Sequence, residues 1–260
     1  MRKRLGRLRR RLIRRLRQPI DPVLAAIEVY RQQIRDARPV IPVVGQAALI
    51  RDFIPWYRSL SRSAVEVRRP WITFESARLL EAALKPSSRV FEYGAGGSTL
   101  FLGERAAAVV SVEHDPEWFV VVRGAVADLP AVRLELAPPR PIVSAADAAV
   151  TSELAEYAGQ TFADYVGIVD AYPDHHFDML VVDGRSRTSC FFRGERKVRV
   201  GGIVVYDDTD RPAYAAAVTA ARAAGWLERG RFGPKPFSRR FSRTTVWTKT
   251  SDLGQLGDPA

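Results

Sequence analysis

The stretch RVFEYGAGGSTLFL, from Arg89 to Leu102, decides the fold of this chain of 260 residues. A short apolar run ends in an acid, a cluster of glycines follows, and a Ser-Thr pair opens a helical pattern. In a doubly wound α/β sheet the ligand lies at the carboxyl ends of the strands, beside the first strand. Glycines in such a turn permit positive φ and close approach of a ligand to the backbone. The stretch therefore predicts a first parallel strand, a ligand-binding turn and a helix.

Strand and helix patterns alternate after this stretch, which is typical of a parallel sheet with helices on both faces. The predicted strands are 89–93, 109–113, 132–136, 178–183 and 202–207, and helical patterns lie near 73–85, 98–106, 116–127, 160–170, 188–199 and 212–224. The runs 226–233 and 244–250 have no helix between them, which predicts an antiparallel hairpin at one sheet edge. The Pro- and Ala-rich connection 137–159 is expected to form a loop over the site.

Acids near the glycine turn indicate the ligand that the turn holds. A dinucleotide fingerprint reads G-x-G-x-x-G, but Thr99 stands at its third glycine position, and the sequence lacks the Gly-Lys-Ser/Thr of a P-loop. Glu92 would repel a pyrophosphate, whereas it suits the ammonium and sulfonium groups of S-adenosylmethionine. Glu113 ends the second strand, directly before His114, and is placed to accept hydrogen bonds from both hydroxyls of a ribose.

The ordered motifs resemble those of the class I S-adenosylmethionine-dependent methyltransferases over about residues 71–250. The matching segments are VFEYGAGGST as the first motif, SVEHD as the ribose-binding acid, FDMLVVDG and GGIVVYDD as the fourth and fifth strands, and the terminal hairpin. The resemblance implies a Rossmann-like, doubly wound seven-stranded sheet in the order 3-2-1-4-5-7-6, with the last strand antiparallel. It also implies an S-adenosylmethionine site made of Glu92, Gly94, Gly96, Gly97, Ser98, Glu113, His114 and Asp183.

Acids also follow the fourth and fifth predicted strands, as Asp183, Asp207 and Asp208. Neighbouring strands lie about 4.8 Å apart, so these carboxylates can share one divalent cation such as Mg²⁺. The arrangement resembles the metal-dependent sugar and catechol O-methyltransferases, whose metal would lower the pKa of the hydroxyl to be methylated. Many class I enzymes carry acids here without a metal, so a metal-free site is the alternative.

Three residues are predicted to be catalytic: Asp183, Asp207 and Arg185. Arg185 stands where the sugar enzymes carry a second acid, which is their candidate base. Either the base lies elsewhere, or the metal suffices, or the substrate is anionic and Arg185 with Arg187 grips it. His114 is a weak alternative base, because it follows the ribose-binding position.

Of the net charge of +11, the first 17 residues contribute +10. That segment, MRKRLGRLRRRLIRRLR, carries ten Lys or Arg residues and no acid, whereas the other 243 residues carry 30 basic and 29 acidic ones. Its apolar residues form one helical stripe, which is typical of a helix on an anionic membrane surface. A solvated terminus and a nucleic-acid-binding arm are the alternatives. The single cysteine, Cys190, excludes an internal disulfide and favours a cytoplasmic location, with peripheral membrane contact through residues 1–17.

The chain divides into a basic amphipathic segment (1–18), a helical lead-in or lid (19–70), a methyltransferase domain (71–250) and a flexible tail (251–260). Trp71 and Glu75 lie where class I enzymes often build a lid over the cofactor. The resulting hypothesis is methyl transfer to a hydroxyl of a small molecule or glycan. A nucleic-acid methyltransferase that uses the basic arm and a non-catalytic binding protein on the same fold are the alternatives. The sequence leaves the oligomeric state open.

Overall fold

The structure is a computed structural model that describes residues 22–37 and 44–253. The predicted basic segment 1–18 lies outside the described residues, and so do parts of the lead-in 19–70 and of the tail 251–260. In the described part of the chain, no helix is long and apolar enough to cross a membrane.

A sheet of seven strands forms the centre of the described residues. Its strands are β1 (Arg89–Tyr93), β2 (Ala108–Glu113), β3 (Val132–Leu136), β4 (Phe177–Val182), β5 (Val198–Tyr206), β6 (Leu227–Arg229) and β7 (Thr245–Thr248). The order is β3-β2-β1-β4-β5-β7-β6. The first five strands pair in parallel, and β7 runs antiparallel to both β5 and β6. The structure thus confirms the predicted doubly wound Rossmann-like sheet and its antiparallel last strand.

Alternate residues of each central strand are buried on opposite faces of the sheet. In β1, Val90 belongs to one hydrophobic cluster, whereas Phe91 and Tyr93 belong to the cluster on the other face. In β4, Val181 and Val182 divide in the same way. Parallel strands covered on both faces need apolar side chains at nearly every position, which explains the continuous apolar runs of the sequence.

Helices cover both faces of the sheet. The helices are α1 (Pro22–Ala37), α2 (Gln46–Ser59), α3 (Ala64–Val67), α4 (Phe74–Ala83), α5 (Gly97–Gly103), α6 (Pro116–Ala125), α7 (Ala145–Ala148), α8 (Ala163–Gly167), α9 (Arg187–Gly194) and α10 (Ala215–Ala223). Thr73 caps α4 as predicted, and its Oγ1 accepts a hydrogen bond of 3.4 Å from the backbone N–H of Ser76. Each predicted helical pattern corresponds to one of these helices, although several helices are shorter than predicted.

The connection 137–159 is more ordered than the predicted loop. It contains α7 and a 3₁₀ turn at Ala155–Tyr157, and Arg140–Pro141 pairs antiparallel with Gln160–Thr161. Because Glu156 and Tyr157 line the large cavity at the strand ends, this connection forms part of the cavity wall.

The helical lead-in packs against the loop between β6 and β7. Tyr30 of α1 and Trp56 of α2 share a hydrophobic cluster with Phe232 and Phe241. Trp56 Nε1 also donates a hydrogen bond of 2.7 Å to the carbonyl of Ser238. The lead-in therefore supports a loop that reaches the carboxyl ends of the strands.

Candidate active site

A cavity of about 760 Å³ opens at the carboxyl ends of β1, β2, β4 and β5; it is called the main cavity below. Its lining consists of Ala64, Trp71, 94–98, 113–115, Trp118, Glu156, Tyr157, 183–185, Arg187, Asp207, Asp208, Arg211 and Lys235. This volume lies within the range of about 300–1,000 Å³ that is usual for small-molecule sites. The position is the one at which doubly wound sheets bind ligands.

The three glycines of the first turn have different roles. A Cβ on Gly94, whose φ is +94°, would lie 2.7 Å from the Cα of Gly184, so the loops after β1 and β4 touch there. A Cβ on Gly97 would lie 2.3 Å from the carbonyl oxygens of Ala64 and Arg69. A Cβ on Gly96, by contrast, would meet nothing within 4 Å and would stand beside open cavity. Gly96 is therefore the glycine whose missing side chain leaves room for a ligand.

Glu92 lies beneath the glycine turn, where it is fully buried. Its Oε2 accepts hydrogen bonds from Thr99 Oγ1 at 2.5 Å and Ser111 Oγ at 2.6 Å, and Thr99 Oγ1 accepts one of 2.9 Å from the Gly96 N–H. The threonine at the third glycine position therefore ties the turn to the buried acid. Burial raises the pKa of Glu92 to about 6. Its carboxylate does not line the main cavity, so direct contact with a ligand stays a prediction.

Glu113 lines the main cavity at the end of β2, and backbone groups fix its orientation. Its Oε1 accepts hydrogen bonds of 2.8 Å from the N–H groups of both His114 and Asp115. Its Oε2 accepts one of 3.1 Å from Ala95 N–H, which leaves that oxygen capacity for a further donor. His114 Nδ1 lies 2.7 Å from Glu113 Oε1, and its Nε2 lies 2.9 Å from the hydroxyl of Tyr157.

The acids after β4 and β5 meet at the opposite end of the main cavity, together with two buried cations. Arg187 Nη2 lies 2.9 Å from Asp183 Oδ1, and Arg187 Nη1 lies 3.3 Å from Asp208 Oδ2. Lys235 Nζ lies 3.2 Å from Asp207 Oδ2 and 2.9 Å from Asp208 Oδ1. Asp207 also accepts a hydrogen bond from Thr244 Oγ1. These contacts form a charge cluster in which Arg187, Lys235 and the more exposed Arg211, 2.7 Å from Asp208 Oδ2, offset the three carboxylates.

The predicted metal ligands Asp183, Asp207 and Asp208 do not fit a divalent cation. Arg187 and Lys235 contact the carboxylate oxygens that a metal ion would need as ligands. A divalent cation bound among these oxygens would be repelled by both positive charges. Among the residues that the structure describes, no group of three or more His, Cys, Asp or Glu side chains could hold a metal ion. The expectation of Mg²⁺ at this position is therefore corrected: the chain supplies its own cations.

Asp183 is the most exposed of the three carboxylates, with 20% of its side chain accessible against 2% for Asp207. Burial raises the pKa of Asp183 well above its usual value, and the charge of Asp207 raises it further. The pKa of Asp208 is lowered, because Lys235 and Arg187 outweigh the opposing effect of its burial. Asp183 thus combines access to the main cavity with a raised pKa, whereas the nearly fully buried Asp207 holds Lys235 in place.

Two residues of the cavity loops adopt left-handed backbone conformations that are uncommon outside glycine. The φ angles of Ser186 and Asp208 are +48° and +58°. Such residues cost of order 1–3 kcal/mol each and cluster at functional sites. These two backbone conformations accompany the start of α9 at Arg187 and the contact of Asp208 with Lys235. Both features belong to the charge cluster.

Three more residues were predicted to lie at the site: Arg185, Trp71 and Glu75. Arg185 lines the main cavity, its guanidinium lies 5.8 Å from the ring centre of Tyr157, and its buried Nε has no hydrogen-bond partner in the described structure. Trp71 lines the main cavity, and its role as a lid stays a prediction. Glu75 does not line the main cavity; its carboxylate accepts a hydrogen bond of 2.9 Å from Arg231 N–H.

Three further residues line the main cavity that were not predicted from the sequence: Lys235, Trp118 and Tyr157. Lys235 stands between two prolines in the β6–β7 loop, which was a signal that this loop presents a side chain in a fixed conformation. Trp118 Nε1 donates a hydrogen bond of 2.8 Å to the carbonyl of Ala95, and so it closes the cavity beside the glycine turn. Nothing in the sequence around Tyr157 indicated that the connection 137–159 folds back to His114.

No protein-family model matches the chain, and no curated protein matches it. Solved structures do share its fold. Precorrin 8w decarboxylase of Methanobacterium thermoautotrophicum is 17% identical, with a TM-score of 0.45, over 70% of this chain and 94% of its own. Precorrin-6y C5,15-methyltransferase of Geobacter metallireducens is 15% identical, with a TM-score of 0.47, over 69% and 90%. A putative methyltransferase of Streptococcus mutans in complex with SAH is 11% identical, with a TM-score of 0.45, over 66% and 94%. At these values the similarity concerns the fold alone.

Proposed function

We propose that the chain is an S-adenosylmethionine-dependent methyltransferase that methylates a hydroxyl group of a small molecule or glycan. One observation carries the proposal: a single cavity at the switch point of the sheet joins the Gly96–Glu113 end to the Asp183 end. The first end offers backbone and a carboxylate for a nucleoside, and the second offers a carboxylate with a raised pKa. The class I resemblance of the sequence agrees with this division.

The residues of the first end fit S-adenosylmethionine better than a dinucleotide. Gly96 leaves space beside the turn, and Oε2 of Glu113 can accept a further hydrogen bond, as a ribose hydroxyl would provide. A dinucleotide fingerprint needs a third glycine, whereas this chain has Thr99 at that position, hydrogen-bonded to the buried Glu92. The ring of Trp118 offers an aromatic surface for the adenine.

When bound, the cofactor supplies a methyl group on a positively charged sulfur, which reacts with an aligned nucleophile. The chain contributes by holding both reactants together, an effect worth about 7–11 kcal/mol in favourable systems. Asp183 can accept the proton of an acceptor hydroxyl at pH values above its raised pKa. Arg187 fixes the Asp183 carboxylate through the contact of 2.9 Å, and Arg185 can hold a polar or anionic group of the acceptor.

The test is a calorimetric titration of S-adenosylhomocysteine into the wild-type protein and two variants. Glu113→Ala removes the predicted ribose ligand and should weaken binding about tenfold to a hundredfold, the usual effect of losing a hydrogen bond to a charged group. Glu117→Ala is the matched control, because Glu117 is exposed on the next helix and does not line the main cavity. Thermal unfolding of both variants checks that they fold.

If the wild-type protein does not bind S-adenosylhomocysteine, the proposal is rejected. A dinucleotide then becomes the preferred ligand of the glycine turn. Binding without methyl transfer to any hydroxyl acceptor would favour a non-catalytic binding protein. Binding that both glutamate variants weaken equally would show that the ligand does not use the carboxylate of Glu113.

A further inference from the structure

A second cavity of about 340 Å³ lies between α2, α3, α4 and the β6–β7 loop; it is called the second cavity below. Its walls are largely apolar and include Val67, Phe74, Ala77 and Phe237. None of these four residues lines the main cavity. The volume lies at the lower end of the range for small-molecule sites, so it suits a small organic ligand rather than a protein segment.

Four arginines line the second cavity, against one glutamate. Two of them are paired: Arg78 binds both carboxylate oxygens of Asp52 at 2.9 Å, and Arg69 lies 3.8 Å from Glu81. Arg58 and Arg62 differ, because neither lies within 4 Å of a carboxylate anywhere in residues 22–37 and 44–253. The second cavity therefore combines apolar walls with two exposed guanidinium groups that have no carboxylate within 4 Å among the described residues, although the charge of Arg62 also acts on Glu66.

The β6–β7 loop forms part of the wall between the two cavities. Pro236 and Phe237 face the second cavity, whereas the adjacent Lys235 faces the main cavity. Phe237 has a φ of +62°, an outlier for a bulky residue, and its N–H donates a hydrogen bond of 3.0 Å to Ser59 Oγ. Its ring also meets Trp71 edge to face at 6.2 Å. The protein thus holds an aromatic residue with a strained backbone at this wall, as functional sites often do.

We infer that the second cavity binds a small organic anion, a molecule with an apolar body and a sulfonate, phosphate or carboxylate group. The guanidinium groups of Arg58 and Arg62 would bind the anionic group, since arginine matches such groups in shape and charge. The side chains of Val67, Phe74 and Phe237 would cover the apolar body. This inference stands on the second cavity alone and does not require the proposed methyl transfer.

The probe is 8-anilinonaphthalene-1-sulfonate, followed by its fluorescence, with N-phenyl-1-naphthylamine as the uncharged analogue of the same aromatic body. The double variant Arg58→Gln/Arg62→Gln should weaken binding of the sulfonate at least tenfold and change binding of the uncharged analogue by less than threefold. Ala77→Trp should abolish binding of both probes because the indole occupies the second cavity. Thermal unfolding confirms that each variant is folded.

Two control variants make the result specific. Arg229→Gln removes an exposed arginine that lies in neither cavity, and Arg185→Gln removes an arginine of the main cavity. Both should bind the sulfonate like the wild-type protein. The inference is overturned if the double variant binds the sulfonate normally, or if Arg185→Gln weakens it equally. Failure of S-adenosylhomocysteine to bind would reject the proposed function and leave this result unaffected.

Discussion

At the scale of single residues, the two adjacent glycines of the first turn separate folding from ligand binding. Gly97 lacks a side chain because backbone carbonyls of Ala64 and Arg69 occupy the position of its Cβ. The missing side chain of Gly96, by contrast, leaves space in the main cavity. The same residue type thus serves helix packing at one position and ligand access at the next.

This difference predicts opposite effects of two alanine substitutions. Gly97→Ala should lower the free energy of unfolding by about 1–3 kcal/mol, the usual cost of overpacking, because its Cβ would lie 2.3 Å from rigid backbone atoms. Gly96→Ala should leave the thermal midpoint unchanged and weaken binding of S-adenosylhomocysteine. Thermal unfolding and calorimetry on both variants check this. Equal destabilisation by the two substitutions would contradict the assignment.

Glu92 makes stability depend on pH in a predictable direction. Burial raises its pKa from 4.5 to about 6, so the folded protein holds the proton more tightly than the unfolded chain does. The resulting stabilisation is complete below pH 4.5 and is lost as the pH rises through about 6. The loss amounts to about 2 kcal/mol for a shift of this size.

Glu92→Gln removes this titration. Between pH 4.5 and 7 the variant should therefore lose about 2 kcal/mol less stability than the wild-type protein, measured by urea unfolding at each pH. The comparison isolates Glu92, because all other titrating groups are common to both proteins. Parallel stability curves for the two proteins would show that Glu92 titrates normally.

The sequence predicted which site residues meet wherever these residues lie on neighbouring parallel strands. Glu113 lies 18 residues beyond Ala95 of the glycine turn and ends the strand beside β1, so their meeting followed from the alternation of strands and helices. The charge cluster was not predictable in this way, because Lys235 meets Asp207 from a loop 28 residues further along the chain. The sequence therefore showed three acids in a pattern typical of a metal site. Lys235, one of the cations that pair with them, lies too far along the chain to be assigned to the same site from the sequence.

At the scale of elements, the β6–β7 loop is the part that completes the main cavity. It carries Lys235, whose side chain is 12% exposed, into contact with carboxylates that are 2% and 5% exposed. Burial lowers the pKa of Lys235, but Asp207 and Asp208 outweigh this and raise it above its usual value. The ammonium group is therefore charged at neutral pH.

Lys235→Met should destabilise the protein by about 3–5 kcal/mol, the usual result of removing one partner of a buried ion pair. The effect should shrink at acid pH, because the carboxylates then take up protons. Lys197→Met is the matched control: Lys197 contacts Asp174 at 2.8 Å, but that carboxylate is 41% exposed, so a loss of no more than about 1 kcal/mol is expected. Urea unfolding of both variants measures the difference, and equal losses would contradict a buried charge cluster.

The strands were easier to predict than the connections. Buried parallel strands are apolar on both faces, and β1 and β2 begin and end within one residue of the prediction. The edge strand β3 matches it as well, because its apolar and polar residues alternate. β5 begins at Val198 rather than 202, because its pairing with β4 is irregular near Phe177 and the sequence there contains two glycines. The connection 137–159 was not predictable, since its short elements are held by contacts such as that of Tyr157 with His114.

At the scale of the whole molecule, the charge and the cavities belong to different parts of the chain. Residues 1–17 carry ten basic side chains and no acid, whereas the remaining 243 residues have a net charge of +1. The core with both cavities is therefore close to neutral, and attraction to an anionic surface would come from the first 17 residues. Each basic residue near an anionic bilayer contributes about 1 kcal/mol, which falls off within a Debye length.

We therefore expect the full chain to sediment with vesicles that contain phosphatidylserine, and not with vesicles of phosphatidylcholine alone. Deletion of residues 1–17 should abolish this binding and leave the affinity for S-adenosylhomocysteine unchanged. A variant with Leu5, Leu8 and Leu12 changed to Ser keeps all ten charges but loses the apolar stripe. It should bind more weakly than the full chain, and added salt should release it more readily, since charge alone would hold it. Vesicle binding that survives the deletion would place the contact in the neutral core, and preferential binding of the intact chain to duplex DNA would favour a nucleic-acid substrate.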